Sequence, residues 1–150
     1  MMKRRSLLPP ALITRAAYFW LCGRVHFPKK RLGEVVHAKE RFIIFRQLVL
    51  DPTAMQPERP GAGLAVRFRF RRFSLKTNQL LSIIPIPFIL AQPGFRSKTW
   101  MFVKETGQFQ GLYEWDTVED AEAYEVSFPM RLMQKRAVPG SLTYTITKIP

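Results

Sequence analysis

Cations and large aromatic side chains alternate along the stretch PGFRSKTWMFVKETGQFQGLYEW, which runs from Pro93 to Trp115. Alternate side chains of an extended strand point to the same face. A face that combines aromatic rings with a cation can stack a flat aromatic ligand and hold its enolate or carboxylate. The candidate ligand-binding residues are the alternating set on two predicted strands: Arg96, Lys98, Trp100, Gly111, Tyr113 and Trp115.

The register of this hairpin decides which side chains meet. Strands are predicted over Arg96–Glu105 and Gln108–Trp115, because Gly107 permits the positive φ of a tight turn between them. The predicted opposite pairs are Lys98 with Trp115, Trp100 with Tyr113, and Phe102 with Gly111, where the glycine leaves space in the wall. The same pairs fit a purely structural role beneath helices, with Lys98 stacked on Trp115. Both interpretations stay open.

Few other groups in the chain suit catalysis or metal binding. Cys22 is the single cysteine, which excludes an internal disulfide, and no Cys or His spacing indicates a metal site. No His, Cys or Ser with a base partner accompanies the aromatic face, which argues against nucleophilic catalysis. We therefore expect no metal and no cofactor. Cofactor-independent oxygenation would mainly require binding the anion of an electron-rich phenol and excluding water, and whether the chain is an enzyme stays open.

Periodicity and turn signals indicate the elements that position this hairpin. The chain has 150 residues, 47% of them hydrophobic, which suits one domain with a real core. From Leu64 onward the predicted order is strand, helix, strand, strand, helix, strand. This is the ferredoxin-like βαββαβ arrangement of the α+β class. We assign 64–150 to this core, within a single α+β domain over 33–150 that follows a basic N-terminal segment over 1–32.

The first strand of that core, Leu64–Phe73, alternates apolar and basic side chains. Val66, Phe68 and Phe70 point one way, and the intervening arginines point the other way. Sites for single-stranded nucleic acid combine stacking aromatic rings with cations. Here the rings lie on the face opposite the arginines, so we predict a half-buried strand and expect no nucleic-acid partner.

Prolines divide the first crossover, between the first and second strands of the core. A helix is predicted to begin with Ser74 as its N-cap and to end before Pro85 and Pro87. The apolar segment IPIPFIL that follows is predicted to be extended. It could line a cavity, pack as core or dip into a membrane interface, and core packing is the simplest of the three.

The second crossover is predicted to be a helix that begins with a capping box. Asp116 would be its N-cap and Glu119 the partner three residues later. Pro129 lies within the helical pattern and should kink the helix or split off its last part. A final strand is predicted over Ser141–Thr147.

The N-terminal segment 1–32 is basic and amphipathic. The chain has a net charge of +13, and residues 1–50 hold eleven Lys and Arg against two acids. The apolar stretch Leu7–Cys22 is shorter than the roughly 20 residues of a membrane-spanning helix. A helix over about Ala11–Cys22 is predicted instead, lying either on an anionic membrane surface or on its own domain. The membrane-contact residues would be Arg15, Phe19 and Trp20.

A β-hairpin over Gly33–Asp51 is predicted to follow this helix, with its turn near residues 38–40. The helix and the hairpin are then N-terminal additions to the ferredoxin-like core. We expect a cytoplasmic protein, with peripheral attachment to the inner membrane face as the alternative location.

The stretch PGFRSKTWMFVKETGQFQGLYEWDTVEDAEAY resembles the dimeric α/β-barrel superfamily, and within it the mono-oxygenases of the YdhR type. The matching positions are Pro93, Gly94, Phe95, Lys98, Trp100, Gly111, Tyr113, Trp115, Ala121 and Tyr124. The resemblance implies a homodimer with a mono-oxygenase-like pocket for an apolar or aromatic small molecule between sheet and helices. The alternative function is a non-catalytic, membrane-peripheral protein that binds a lipophilic ligand.

The same superfamily includes haem-degrading enzymes. In this chain His26 or His37 would have to serve as the axial haem ligand, and neither lies on a predicted barrel helix. The resemblance therefore does not change the expectation that no cofactor is bound.

Overall fold

The computed structural model describes residues 8–150 of the chain. Five α-helices and one seven-stranded antiparallel sheet make up this part of the chain. The helices are α1 (Pro9–Leu21), α2 (Leu75–Leu81), α3 (Ile86–Leu90), α4 (Val118–Glu125) and α5 (Phe128–Arg136). The strands are β1 (Val25–His26), β2 (Val35–His37), β3 (Arg41–Leu50), β4 (Ala62–Arg69), β5 (Phe95–Phe102), β6 (Gln108–Trp115) and β7 (Thr143–Lys148).

The last four strands have the ferredoxin-like arrangement that the sequence predicts. The sheet runs in the order β1-β3-β5-β6-β4-β7. Helices α2 and α3 connect β4 to β5, and α4 and α5 connect β6 to β7. The main core lies between the sheet and the helices, with Leu64 and Trp115 packed against Ile89, Ala121 and Met130. The α+β, βαββαβ prediction is confirmed.

The N-terminal additions share this sheet and this core. Strands β2 and β3 form the predicted hairpin, and β3 extends the sheet by pairing along β5. Helix α1 contacts α3 and buries Leu12, Ala16 and Phe19. Of the two alternatives for this helix, the structure therefore has it docked on its own domain. None of the described helices has the length and apolar character to cross a membrane.

The Pro-rich crossover differs from the prediction in one segment. Helix α2 begins as predicted, with the Ser74 Oγ accepting a hydrogen bond from the Thr77 N–H at 3.2 Å. The segment predicted to be extended, however, is helix α3, with Pro85 as its N-cap and Pro87 in its first turn. Proline is tolerated there because the N–H it lacks would have no intrahelical partner. The side chains of α3 pack in the core, which confirms the simplest of the three roles.

The second crossover is split where Pro129 predicts, since α4 ends at Glu125 and α5 begins at Phe128. The capping prediction is one residue early. The N-cap of α4 is Thr117, whose Oγ1 accepts a hydrogen bond from the Asp120 N–H at 3.1 Å. Asp116 does not cap the helix because its carboxylate pairs with a buried guanidinium, described below with the site.

The predicted hairpin register was wrong by two residues. The Val103 N–H donates to the Gln108 carbonyl at 2.8 Å, and the Gly107 N–H donates back to the Val103 carbonyl at 2.9 Å. The loop thus has four residues, 104–107, and Gly107 has its positive φ at the last of them. The observed opposite pairs are Lys98 with Tyr113, Trp100 with Gly111, and Phe102 with Phe109. Because the loop is two residues longer than the predicted turn, β5 ends at Phe102, three residues before the predicted end at Glu105.

Candidate functional site

A small cavity lies between the sheet and the helices, and four of the six candidate residues line it. Strands β4, β5 and β6 form its floor, and α5 with the turn between α2 and α3 covers it. The candidate residues in its wall are Lys98, Trp100, Gly111 and Tyr113. Its volume is about 40 Å³, which is room for a few water molecules. A ring-sized ligand therefore requires the covering side chains to move.

Lys98 is the one charged candidate that borders this cavity. Its side chain is 2% exposed, and its Nζ lies 4.4 Å from the ring centroids of both Trp100 and Tyr113. No carboxylate of residues 8–150 lies within ion-pair distance of the amine. Burial, and in second place the charge of Arg46, lowers the pKa of Lys98 well below its ordinary value. Burial thereby favours the uncharged amine over the ammonium.

Arg46 is a second cation beside Trp100, outside the cavity wall, and no local sequence pattern places it there. A β-bulge in β3 between Ile44 and Arg46 brings it opposite Trp100, with its Cζ 5.8 Å from the indole centroid. The guanidinium donates to the Ser82 Oγ and, at 3.2 Å, to the Gln79 carbonyl. Arg46 thus links the carboxyl end of α2 to the sheet. A cation is favoured at the carboxyl end of a helix because the helix dipole is negative there.

Two buried tyrosines at the cavity, Tyr113 in its wall and Tyr124 in contact with Tyr113, are uncharged. The Tyr124 hydroxyl donates to the Tyr113 hydroxyl at 3.1 Å, and both side chains are buried. Burial raises the pKa of both phenols, in Tyr113 with a further contribution from Tyr124. Neither phenol ionises near neutral pH, so the tyrosines do not supply Lys98 with a counter-ion.

Gly111 is required by close packing, and the prediction that it leaves open space was wrong. A Cβ at this position would lie 2.9 Å from Tyr113 Cε2 and 3.0 Å from Lys98 Cε. The room that the glycine provides is therefore filled by the two side chains that form the wall.

We expect Gly111→Ala to lower the free energy of unfolding by about 1–3 kcal/mol, because overpacking forces neighbouring side chains off their positions. Chemical denaturation measures this loss. Gly63→Ala is the matched control on β4, since its added Cβ would meet only carbonyl oxygens at 3.8 and 3.9 Å. Equal losses in the two variants would contradict the packing role of Gly111.

Arg96 and Trp115 do not reach the cavity. Arg96 lies at a β-bulge in β5, which takes it out of the alternating face. Its guanidinium donates to Asp116 Oδ1 at 2.9 Å and to the carbonyls of Pro57 and Glu58 at 2.7 and 3.0 Å. The Trp115 ring is fully buried, in contact with the ring of Tyr124 at a centroid distance of 4.9 Å. For these two residues the structure therefore supports a role in packing and ion pairing and not a position in the cavity wall.

Several residues of the cavity wall were not among the candidates. They lie directly after β4, in the turn after α2 and on α5: Phe70, Ser82, Met133 and Arg136. Phe70 lies on the face of its strand that was predicted to be apolar and inward. The i, i+3 spacing of Met133 and Arg136 places them on the same face of a helix, and this spacing was the available signal.

The three residues predicted to contact a membrane have different environments. Phe19 is buried against the domain, and Arg15 donates from Nε to the Ala91 carbonyl at 3.1 Å. Trp20 is 57% exposed and contacts Phe27, with a ring-centroid distance of 5.7 Å. Only Trp20 of the three offers an apolar ring to the surroundings of the described chain.

The histidines do not fit an axial haem ligand at this cavity. His26 lies on β1 with its Nε2 2.6 Å from Asp51 Oδ2, and His37 lies on β2. Neither lines the cavity, whose volume is also far below that of a haem pocket.

Solved structures with a similar fold include a heme-degrading enzyme and an oxidase-like protein. The chain is similar to LmHde, a heme-degrading enzyme from Listeria monocytogenes, with 9% identity and a TM-score of 0.57 over 84% of this chain and 97% of that one. It is similar to an anthrone oxidase-like protein with 15% identity and a TM-score of 0.52, over 74% of this chain and 54% of that one.

A third similar structure is an uncharacterized ferredoxin-fold protein related to antibiotic biosynthesis monooxygenases, from Listeria monocytogenes 4b F2365. Its identity is 11% and its TM-score 0.48, over 84% of this chain and 92% of that one. No protein-family model and no curated protein matches the chain. At these identities the likeness establishes the fold. That fold is ferredoxin-like, as the order of the predicted elements indicates.

Proposed function

We propose that this protein binds an apolar aromatic small molecule, a phenol or quinol, in the cavity between sheet and helices, and supports its mono-oxygenation. The observation that carries this proposal is the Lys98 amine. It is buried at the cavity wall, lies over two aromatic rings and has no carboxylate partner among the described residues. A buried amine held in this way suits a ligand that brings its own acidic proton.

The chemistry assigned to the chain is proton transfer and binding of the resulting anion. A phenol stacked on Trp100 gives its proton to the neutral Lys98 amine, and the ammonium then pairs with the phenolate. This attraction is much stronger in a site that excludes water than in bulk water. An electron-rich phenolate reacts with O₂. With 1-naphthol the products are naphthoquinone and water, since one oxygen atom enters the ring and the other leaves as water.

Entry of the ligand requires the last turn of α5 to move outward. The cover of the cavity includes Leu132 and Met133, both only partly buried, and methionine adapts readily to a new neighbour. Helix α5 is anchored at its other end by the buried Pro129 and Met130. Outward movement of its last turn enlarges the cavity, at the cost of the hydrogen bond from the Arg71 N–H to the Arg136 carbonyl.

Titration with 1-naphthol tests the proposal. The absorbance of naphtholate reports whether the bound ligand is ionised, and an oxygen electrode reports turnover. We expect wild-type protein to lower the pKa of bound 1-naphthol, and Lys98→Met to bind it without ionising it. Lys104→Met, at an exposed lysine of the hairpin loop, is the matched control. Ionisation of the ligand in all three proteins, or in none, would sink the proposal.

A second candidate function is a non-catalytic, membrane-peripheral protein that binds a lipophilic ligand. The observation in its favour is the outer side of α1, where large apolar side chains are exposed next to basic residues such as Arg15. These exposed side chains are Leu8, Ile13, Tyr18, Trp20 and Leu21. Apolar and aromatic groups beside cations suit an anionic membrane interface.

Co-sedimentation with phosphatidylglycerol vesicles tests this second candidate. We expect Trp20→Ser/Leu21→Ser to lose most of any vesicle binding, because both side chains are free to enter the interface. The control is Leu32→Ser/Met55→Ser, which removes two exposed apolar side chains elsewhere. If both double variants sediment like the wild type, α1 is not a membrane anchor.

We also propose that the protein is a homodimer that associates through the sheet face opposite the helices. An uncharged row crosses five strands on that face: Gln47, Thr99, Leu112, Ala65 and Thr145. Leu112 lies at its centre and is 37% exposed. Uncharged residues at the centre of a flat face are typical of protein–protein contacts.

Light scattering coupled to size exclusion measures the assembly. We expect a dimer for the wild type and a monomer for Leu112→Arg, since a central unpaired charge opposes association. Tyr144→Arg is the control, as it adds the same charge at an exposed position on the other side of β7. A monomeric wild type would contradict the prediction.

A further inference from the structure

A strongly basic cavity opens beside the buried one. Its volume is about 320 Å³, and four cations contribute to its wall: Arg71, Arg72, Lys135 and Arg136. We call these four residues the basic rim. Its wall contains no acidic residue, and none of the four cations has an ion pair with a carboxylate in residues 8–150. Like charges gathered without counter-charges attract anions.

The rim is assembled by specific contacts between two parts of the chain. The Arg71 N–H donates to the Arg136 carbonyl at 2.9 Å, which ties the chain after β4 to the end of α5. The buried amide of Asn78 links the same two parts. Its Nδ2 donates to the Arg72 carbonyl at 2.9 Å, and its Oδ1 accepts from Arg136 Nη2 at 3.4 Å.

The backbone at the rim is strained. The contacts around it therefore hold the rim in a conformation that the chain would not adopt by itself. Phe73 has a φ of 70°, a left-handed conformation that is a genuine outlier for a bulky residue. Asn78 Nδ2 also contacts the Phe73 carbonyl, at 3.4 Å, and the Phe73 ring is exposed at the cavity edge. Strained residues of this kind concentrate at ligand-binding sites.

The basic cavity and the buried cavity share two wall residues. Phe70 and Arg136 line both, and the Arg136 Cζ lies 4.8 Å from the Phe70 ring centroid. Burial lowers the pKa of Arg136, and no carboxylate of residues 8–150 pairs with its guanidinium. An elongated ligand can therefore have its apolar part on the sheet and an anionic group among the arginines.

We infer that the ligand is an aromatic organic acid, with its ring system in the buried cavity and its carboxylate or sulfonate held at the basic rim. This inference rests on the proposed function, since it assumes that the buried cavity takes the aromatic part. Guanidinium groups bind such anions through paired, charge-assisted hydrogen bonds. The rim thus selects acidic aromatic molecules over neutral ones of the same shape.

Two fluorescent probes with the same ring system test the inference. 1-Anilinonaphthalene-8-sulfonate carries the acid group, and N-phenyl-1-naphthylamine lacks it. The rim variant is Arg71→Gln/Arg72→Gln/Lys135→Gln, in which all three side chains are exposed and Arg136 is retained. The control is Lys29→Gln/Lys30→Gln/Lys39→Gln, which removes the same charge from exposed positions elsewhere.

We expect the wild type to bind the sulfonate probe more tightly than the neutral probe. The rim variant should lose about tenfold in affinity for the sulfonate, which corresponds to about 1.4 kcal/mol for three weak exposed charge contacts, and keep its affinity for the neutral probe. The control should bind both probes like the wild type. Added salt should weaken only the sulfonate, and 1-naphthol should displace both probes.

Two results would overturn the inference, and they are distinguishable. If 1-naphthol displaces the neutral probe but the rim variant binds the sulfonate as tightly as the control does, the rim is not an anion site and the proposed function stands. If 1-naphthol displaces neither probe, the buried cavity does not take an aromatic ring. The proposed function and the inference then fail together.

Discussion

The Arg96→Met variant is expected to lose about 3–5 kcal/mol of unfolding free energy, the loss typical of breaking a buried ion pair from one side. Arg96 and Asp116 are both nearly inaccessible to solvent, with side chains 8% and 11% exposed. Without the guanidinium, Asp116 keeps only the amide of Gln56, at 2.8 Å, as a side-chain partner among residues 8–150. The carbonyls of Pro57 and Glu58 also lose their donor.

Urea denaturation measures the loss, with Arg69→Met as the control for removing an arginine from the sheet. Arg69 is exposed near the end of β4 and has no side-chain ion pair within the described part of the chain. We expect the control to change stability by less than about 0.5 kcal/mol. A loss below about 1 kcal/mol in Arg96→Met would show that this residue is available for a ligand after all.

The Lys98→Met variant should behave in the opposite way and gain stability. Replacing buried charged groups by apolar ones of similar volume is neutral or stabilising by about 1–4 kcal/mol. Lys98 is buried without an anionic partner, so the folded protein bears the cost of desolvating its amine. Loss of naphtholate binding together with a gain in stability would identify Lys98 as a residue retained for function.

The pH dependence of this gain follows from the direction of the shift. The ordinary pKa of lysine is about 10.4, and the folded-state pKa of Lys98 lies well below it. Between the two values the unfolded chain binds more protons at this residue, so wild-type stability rises with pH across that window. Lys98→Met lacks this rise. The excess of its unfolding free energy over that of the wild type is therefore largest at low pH and shrinks toward pH 10. Denaturation curves across this range measure it, and an advantage independent of pH would contradict the buried amine.

The order of the core elements was predictable because each signal is local. The alternation of Val66, Phe68 and Phe70 marks a strand, Ser74 marks a helix start, and Pro129 marks a break. Each depends on residues close in sequence. The ferredoxin-like arrangement then follows from the order of the elements.

The details of the site were less predictable because they depend on contacts between distant parts of the chain. The alternation correctly grouped Lys98, Trp100 and Tyr113, which share the cavity wall. It could not show that a four-residue loop shifts the register, or that a bulge removes Arg96 from the face. The alternation also could not predict that Arg46 lies next to Trp100, because Arg46 is fifty-two residues before Lys98 in the sequence.

We propose that an aromatic molecule binds against Trp100, and the three tryptophans of the chain allow this to be tested in one experiment. Trp20 lies on the outer side of α1, Trp100 lines the cavity, and Trp115 is buried away from it. Their indole N–H signals in a ¹⁵N NMR spectrum can be assigned with single Trp→Phe variants. On titration with 1-naphthol, we predict that the Trp100 signal shifts most and that the Trp20 signal stays in place. A shift confined to Trp20, or no shift in any of the three signals, would contradict the claim.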